Sequence, residues 1–123
     1  NNVANSLRSI TNLLGVEMSF AGPGYKTIDN GVADSDVVYT DTWVSMGDEA
    51  AKEKLVKKFS DFQVNEKVMK LAKPDAIFMH DMPAYRGYEV TDDVIDGLQS
   101  VIYQQAENRL HAQKALLQFL MTA

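Results

Sequence analysis

Three short apolar runs constrain what this chain can fold into. Val37 to Thr40, Ala76 to Met79 and Ser100 to Tyr103 are rich in β-branched and aromatic residues and are separated by stretches of helical period. Runs of this kind suit strands buried on both faces, and strands that alternate with helices argue for a parallel sheet. The expected fold is α/β: a three-layer sandwich with a mostly parallel, Rossmann-like sheet and helices on both faces.

The intervening pattern supports that reading. Val3, Leu7, Ile10 and Leu13/Leu14 recur at spacings of three and four, and Gly15 follows as a stop, which predicts a helix over Val3 to Leu14. Val16 to Ala21 alternates and reads as a strand, broken by Gly22-Pro23-Gly24. Asp48 to Phe59 places Ala51, Leu55 and Phe59 on one stripe and pairs Glu53 with Lys57, so it reads as a surface helix. Asn65 can cap a short helix through Leu71 that Pro74 bars from extending, and Thr91-Asp92-Asp93 begins another. Ala106 to Leu120 reads as a long helix offering Leu110, Leu116, Leu117 and Leu120 to the core.

Chemistry follows the strands. Asp41, Ser45 and Met46 come after the first run, His80-Asp81-Met82-Pro83-Ala84-Tyr85-Arg86-Gly87 after the second, and Ala106-Glu107-Asn108-Arg109-Leu110-His111 after the third. The carboxyl ends of strands are where open α/β sheets bind ligands, because side chains and loops converge there. His80 and His111 are not assigned as bases, since lone histidines at element ends usually satisfy backbone groups.

Size and charge set separate limits. One hundred and twenty-three residues suit a single domain over 1–123 that can bury a core without staples. Twelve basic against seventeen acidic residues give a net charge of −5, with no basic stripe, so nucleic acid and anionic membrane are poor partners. No cysteine is present, which excludes a disulfide framework and a thiolate metal site. No apolar run reaches the length of a membrane span and no signal-peptide pattern occurs, so a cytoplasmic protein is expected. No metal site or organic cofactor is expected; Asp92, Asp93 and Asp96 read as helix-start charge and a solvated face.

Taken in order, these segments resemble ornithine carbamoyltransferase, whose second domain carries Asp-x-x-x-Ser-Met-Gly, then His-Cys-Leu-Pro, then Glu-Asn-Arg. Asn1-Asn2-Val3-Ala4-Asn5-Ser6 is similar to that family's Asn-Asn helix start. The resemblance covers most of the chain and is weakest from Gly22 to Ala33. It implies a reduced ornithine-binding-type domain, truncated and with an internal deletion. The family's first domain, with its Ser-Thr-Arg-Thr phosphate loop, has no counterpart in this sequence. Between Tyr25 and Asp34, where the family has a helix and a strand, stand about ten residues rich in Gly, Asp and Asn.

The resemblance also implies roles. Asn2 would hold the α-carboxylate of ornithine, and Asp41, Ser45 and Met46 its α-amino and neighbouring groups. Asp81, Met82 and Arg109 would face carbamoyl phosphate. An arginine suits that ligand because its donors form a rigid fork. The alternative for Arg109 is a surface pair with Glu107 or Asp81; for Asp41 and Ser45, a strand end and a helix cap.

Asp81 departs from the family, which has cysteine at the catalytic position there. Two unit charges about 4 Å apart interact by roughly 4 kcal/mol at an effective dielectric near 20, so a carboxylate there would repel carbamoyl phosphate. It would also stabilise the side-chain ammonium of ornithine, when only the neutral amine can attack. The resemblance therefore implies ancestry in carbamoyl transfer to L-ornithine, giving citrulline and phosphate in arginine biosynthesis, with this chain inactive alone. The alternative is a non-catalytic engineered or evolved α/β module for structure or self-association. Unpaired strand edges favour a homodimer.

Overall fold

The computed structural model describes residues 2–44 and 51–122. Helix α1 (Asn2–Leu14) ends where expected, and Gly15 takes a left-handed φ of 67° as its stop. The expected strand over Val16 to Ala21 does not form. Residues 16–20 are irregular, and Ala21 bridges to Lys26 across the turn that follows, with Lys26 N–H donating to the Phe20 carbonyl and Gly22 N–H to the Lys26 carbonyl. Phe20 and Tyr25 meet across that turn at 5.8 Å, and the Arg8 guanidinium of α1 lies 4.6 Å from the Phe20 ring. Period-two alternation alone was satisfied by a local hairpin-like turn held to a helix.

A short helix α2 (Ile28–Val32) follows, started by the Thr27 hydroxyl accepting from Asn30 N–H. Strand β1 (Val37–Thr40) occupies the predicted residues. Helix α3 (Lys52–Phe59) is the described part of the helix expected from Asp48; residues 48–50 of that expectation lie outside the described residues. Helix α4 (Glu66–Met69) starts at Asn65, whose Oδ1 accepts from Lys67 and Val68 N–H, as an N-cap should. Strand β2 (Ile77–His80), helix α5 (Asp92–Ile95) and helix α6 (Ile102–Thr122) complete the order.

The fold is α/β with parallel pairing, but among the described residues the regular sheet has two strands. Strands β1 and β2 run parallel in the register Val37–Ile77, Val38–Phe78, Tyr39–Met79, Thr40–His80. The third expected strand, Ser100 to Tyr103, shrinks to one bridge between Phe78 and Ser100, because α6 already begins at Ile102. Phe78 N–H donates to the Gln99 carbonyl and Val101 N–H to the Phe78 carbonyl, so that edge of β2 is paired at one point. A second clamp joins Val64 to Glu89–Thr91: Val64 N–H donates to the Glu89 carbonyl and Thr91 N–H to the Val64 carbonyl.

The core lies between these pieces. Phe78 and Val90 are fully buried, and Val38, Val68, Ile95 and Ile102 pack around them. Each such side chain contributes about 1.5 to 3 kcal/mol by leaving water. Helix α6 does not follow the expectation: only Ile102 is buried, and Leu110, Leu116, Leu117 and Leu120 are 57 to 66% exposed. Its apolar residues are spread around the helix rather than gathered in one stripe, and only its first turn reaches β2. Among the described residues, no helix is long and apolar enough to cross a membrane.

Candidate functional site

Parallel pairing with Thr40 opposite His80 makes the next residue of each strand a neighbour of the other, so Asp41 and Asp81 emerge side by side. The carboxyl of Asp81 is held above its ordinary range. Burial is the main cause, followed by the charge of Asp41, and a side-chain hydrogen bond with Asp41 acts in the same direction. Asp41 Oδ1 also accepts from Thr42 N–H at 2.7 Å, which fixes its carboxyl at the strand end. Tyr39, one step back, is pushed up to about 12 by its own burial first and then by the charges of Asp81 and Asp41.

The turn after β2 is held by a buried polar network. His80 is 1% exposed and Glu89 is fully buried. Met82 N–H donates to His80 Nδ1 at 2.9 Å, so the ring proton sits on Nε2, which faces Glu89 Oε1 at 3.3 Å. Tyr85 N–H donates to the same Glu89 oxygen. Asp81 Oδ1 lies 3.6 Å from His80 Nδ1, but that nitrogen's lone pair is already taken, so the two do not form an ion pair. Asp81 Oδ1 is buried with no hydrogen-bond partner among the described residues.

Met82 has a left-handed φ of 60°, uncommon for a residue with a side chain, and the Met82–Pro83 peptide is cis. Met82 N–H is bonded to His80 in this conformation, at the point where the chain enters the cleft.

An open cleft of about 1170 Å³ lies beyond these strand ends, between α1 and the start of α6. Asn2, Tyr39, Asp81, Met82, Gln105 and Arg109 all face it. Asn2 turns its Oδ1 back onto Val3 N–H at 3.0 Å, opening α1. Arg109 is exposed and makes no ion pair among the described residues; Glu107, one alternative partner, instead meets His111 at 3.3 Å. Arg109 is also the one cationic side chain lining the cleft among the described residues.

Of the residues singled out from sequence, Asn2, Asp81, Met82 and Arg109 thus share one cleft, and Asp41 stands directly beside Asp81. Ser45 and Met46 lie outside the described residues. His111 is an exposed surface partner of Glu107, and His80 is a buried structural donor, so neither is placed as a base. Among the described residues, no group of three potential ligands could hold a metal ion.

Two residues of the site escaped the sequence reading. Glu89 carried no signal beyond its place four residues after Tyr85, because one acid between a tyrosine and a valine looks solvated. Gln105 looked like an ordinary helical residue, yet its Oε1 accepts from His80 N–H at 3.0 Å and its Nε2 donates to the Tyr39 hydroxyl at 3.3 Å.

Comparison with known proteins gives a consistent result. Residues 24–120 match the family model described as "Aspartate/ornithine carbamoyltransferase, Asp/Orn binding domain". An ornithine carbamoyltransferase of Caldicellulosiruptor saccharolyticus is 63% identical over 89 residues, covering 72% of this chain and 29% of that protein. One from Methanosarcina acetivorans is 48% identical over 142 residues, covering 98% of this chain and 47% of that protein. Since 98% of 123 residues is about 121, about 21 aligned positions (142 − 121) have no counterpart here, as an internal deletion requires. Ornithine carbamoyltransferase from Thermus thermophilus superposes with a TM-score of 0.83 at 33% identity, over 95% of this chain and 44% of that one. The chain spans less than half the length of these relatives.

Proposed function

This chain belongs to the aspartate/ornithine carbamoyltransferase family, and we propose that it supplies the ornithine-side half of a carbamoyl-transfer site while performing no transfer by itself. The observation that carries this reading is the parallel register that sets Asp41 beside Asp81 at the cleft onto which Arg109 opens. In the reaction class, a neutral amine attacks the carbonyl carbon of carbamoyl phosphate, the bond from that carbon to the phosphate oxygen breaks, and phosphate leaves with the electron pair. Asp41, with Ser45 and Met46, would hold the α-ammonium of L-ornithine, and Asn2 its carboxylate. Arg109 would take the phosphate or the carbonyl oxygen.

Asp81 works against the chemical step. Its carboxyl and that of Asp41 form a pair that favours an ammonium over the neutral amine required for attack. The pair also opposes an arriving dianion, which has one guanidinium in this cleft to receive it, whereas transfer needs several donors aimed at the developing charge. Binding of the diamino acid without turnover is the balance of these effects.

The test is calorimetric titration of the purified chain with L-ornithine, together with a citrulline assay in the presence of carbamoyl phosphate. Ornithine binding that weakens in Asp41→Asn, with no citrulline, is expected. Turnover that scales with chain concentration and disappears in Arg109→Ala overturns the inactivity; no ornithine binding at all overturns the site.

A second reading, a module for self-association, is favoured by the exposed apolar residues of α1 and α6. Ile10, Leu13 and Leu14 are 47 to 82% exposed, and Leu116, Leu117 and Phe119 are 57 to 68% exposed. Exposed apolar side chains in this number favour association. A homodimer is compatible with both readings.

A further inference from the structure

Helix α6 runs for 21 residues, yet its burial is confined to its first turn. Ile102 is its one buried residue. Among the described residues, Gln105 is its one side chain with a hydrogen bond outside the helix; the bonds of His111 with Glu107 and of Thr122 with the Gln118 carbonyl stay within it. Burial of Ile102 and the bond from Val101 N–H to the Phe78 carbonyl fix where the helix starts and which face it turns to the core, but one apolar contact sets that direction only coarsely. Hydrogen bonds are directional. The Gln105 amide uses both ends: Oε1 receives the His80 N–H at the end of β2, and Nε2 donates to the Tyr39 hydroxyl of β1. It thereby ties α6 to both strands immediately before the two acids emerge.

Arg109 stands four residues after Gln105, on the same face of the helix, and both line the cleft with Asp81. Resting on the reading of Arg109 as the group that takes the phosphate at this cleft, we infer that Gln105 is the positioning residue that aims Arg109 into the cleft. Removing the amide leaves Arg109 in the sequence and on a helix, but loosens the setting of the face from which Arg109 lines the cleft. No contact of Gln105 with the ligand is required. Its effect is carried by Arg109, and that dependence separates positioning from a general loss of structure.

The experiment follows inorganic phosphate binding through the side-chain Nε–Hε signal of Arg109 and the backbone amide of Met82 in NMR spectra of the whole chain. It compares the unaltered chain with Gln105→Met, Arg109→Ala and the double variant. Methionine keeps the length of the side chain and removes both hydrogen bonds. Gln105→Met is expected to weaken phosphate binding about threefold to tenfold, the size of one ordinary hydrogen bond. In the Arg109→Ala background the same change is expected to have no further effect.

Binding by Gln105→Met equal to that of the unaltered chain overturns the inference. So does the same fold-loss with Arg109 already removed, since Gln105 would then act independently. If Gln105→Met does not fold, Tyr39→Phe breaks one of the two ties and must show a smaller loss with the same dependence on Arg109. Phosphate binding unchanged in Arg109→Ala, or absent from the unaltered chain, instead overturns the reading of Arg109 on which the inference rests.

Discussion

Replacing Glu89 by alanine removes one oxygen that two donors share, one buried and one partly buried. Tyr85 N–H and His80 Nε2–H both turn to Glu89 Oε1, and neither the His80 ring nor the Glu89 carboxyl is exposed to water that could substitute. A buried donor left without an acceptor costs about 1 to 3 kcal/mol and a partly buried one less, so the two together cost about 3 kcal/mol. For a domain of this size, whose stability lies in the range of about 5 to 15 kcal/mol, that is a large fraction.

Glutamine separates the two possible origins of the effect. Its Oε1 can accept from both donors, and its amide nitrogen replaces an oxygen, Oε2, that already has no partner. Glu89→Gln is therefore expected to lose about 1 kcal/mol or less. Urea unfolding followed by far-ultraviolet circular dichroism gives both values from midpoints at a common slope. Equal losses in the alanine and glutamine variants, or a loss below about 1 kcal/mol for alanine, would refute the claim that the shared acceptor holds the 80–85 turn.

Three further outcomes follow from the same geometry. The Asp81 carboxyl is held above its ordinary value of 3.8, so between that value and the raised one the folded chain binds more protons than the unfolded chain, and stability falls as pH rises through this window. Asp81→Asn should flatten that part of the profile and be the more stable chain at neutral pH; urea midpoints from pH 4 to 7 that run parallel for the two chains would contradict this. Asp81→Cys alone should yield no citrulline, because orientation of two substrates contributes roughly 7 kcal/mol or more that one side chain does not supply; recovered turnover would show a far more complete site. Sedimentation at micromolar concentration should report about twice the chain mass of 13.7 kDa, and a clean monomer with a cooperative melt would remove the case for self-association.

Local physics made much of this protein legible from its residues in order. Helix α1 with its glycine stop, strand β1, the Asn65 cap and the short run that became β2 depend on side-chain period, capping groups and φ preferences within a few positions, and the structure has them where those signals stand. The alternating segment 16–21 and the run 100–103 misled for the same reason: a strand exists only if another strand pairs with it, and pairing is not encoded locally.

The ordered motifs identified the carbamoyltransferase family, since a ligand-binding series keeps its sequence order whatever the spacing between elements. What only the tertiary structure decided is how those residues meet. The register of β1 against β2 set Asp41 beside Asp81, the closing of the 80–85 turn buried Glu89 under His80, and two hydrogen bonds made Gln105 the tie between a long exposed helix and the sheet. Glutamate and glutamine are usually solvated, so their burial becomes visible only when the elements that exclude water from them are in place.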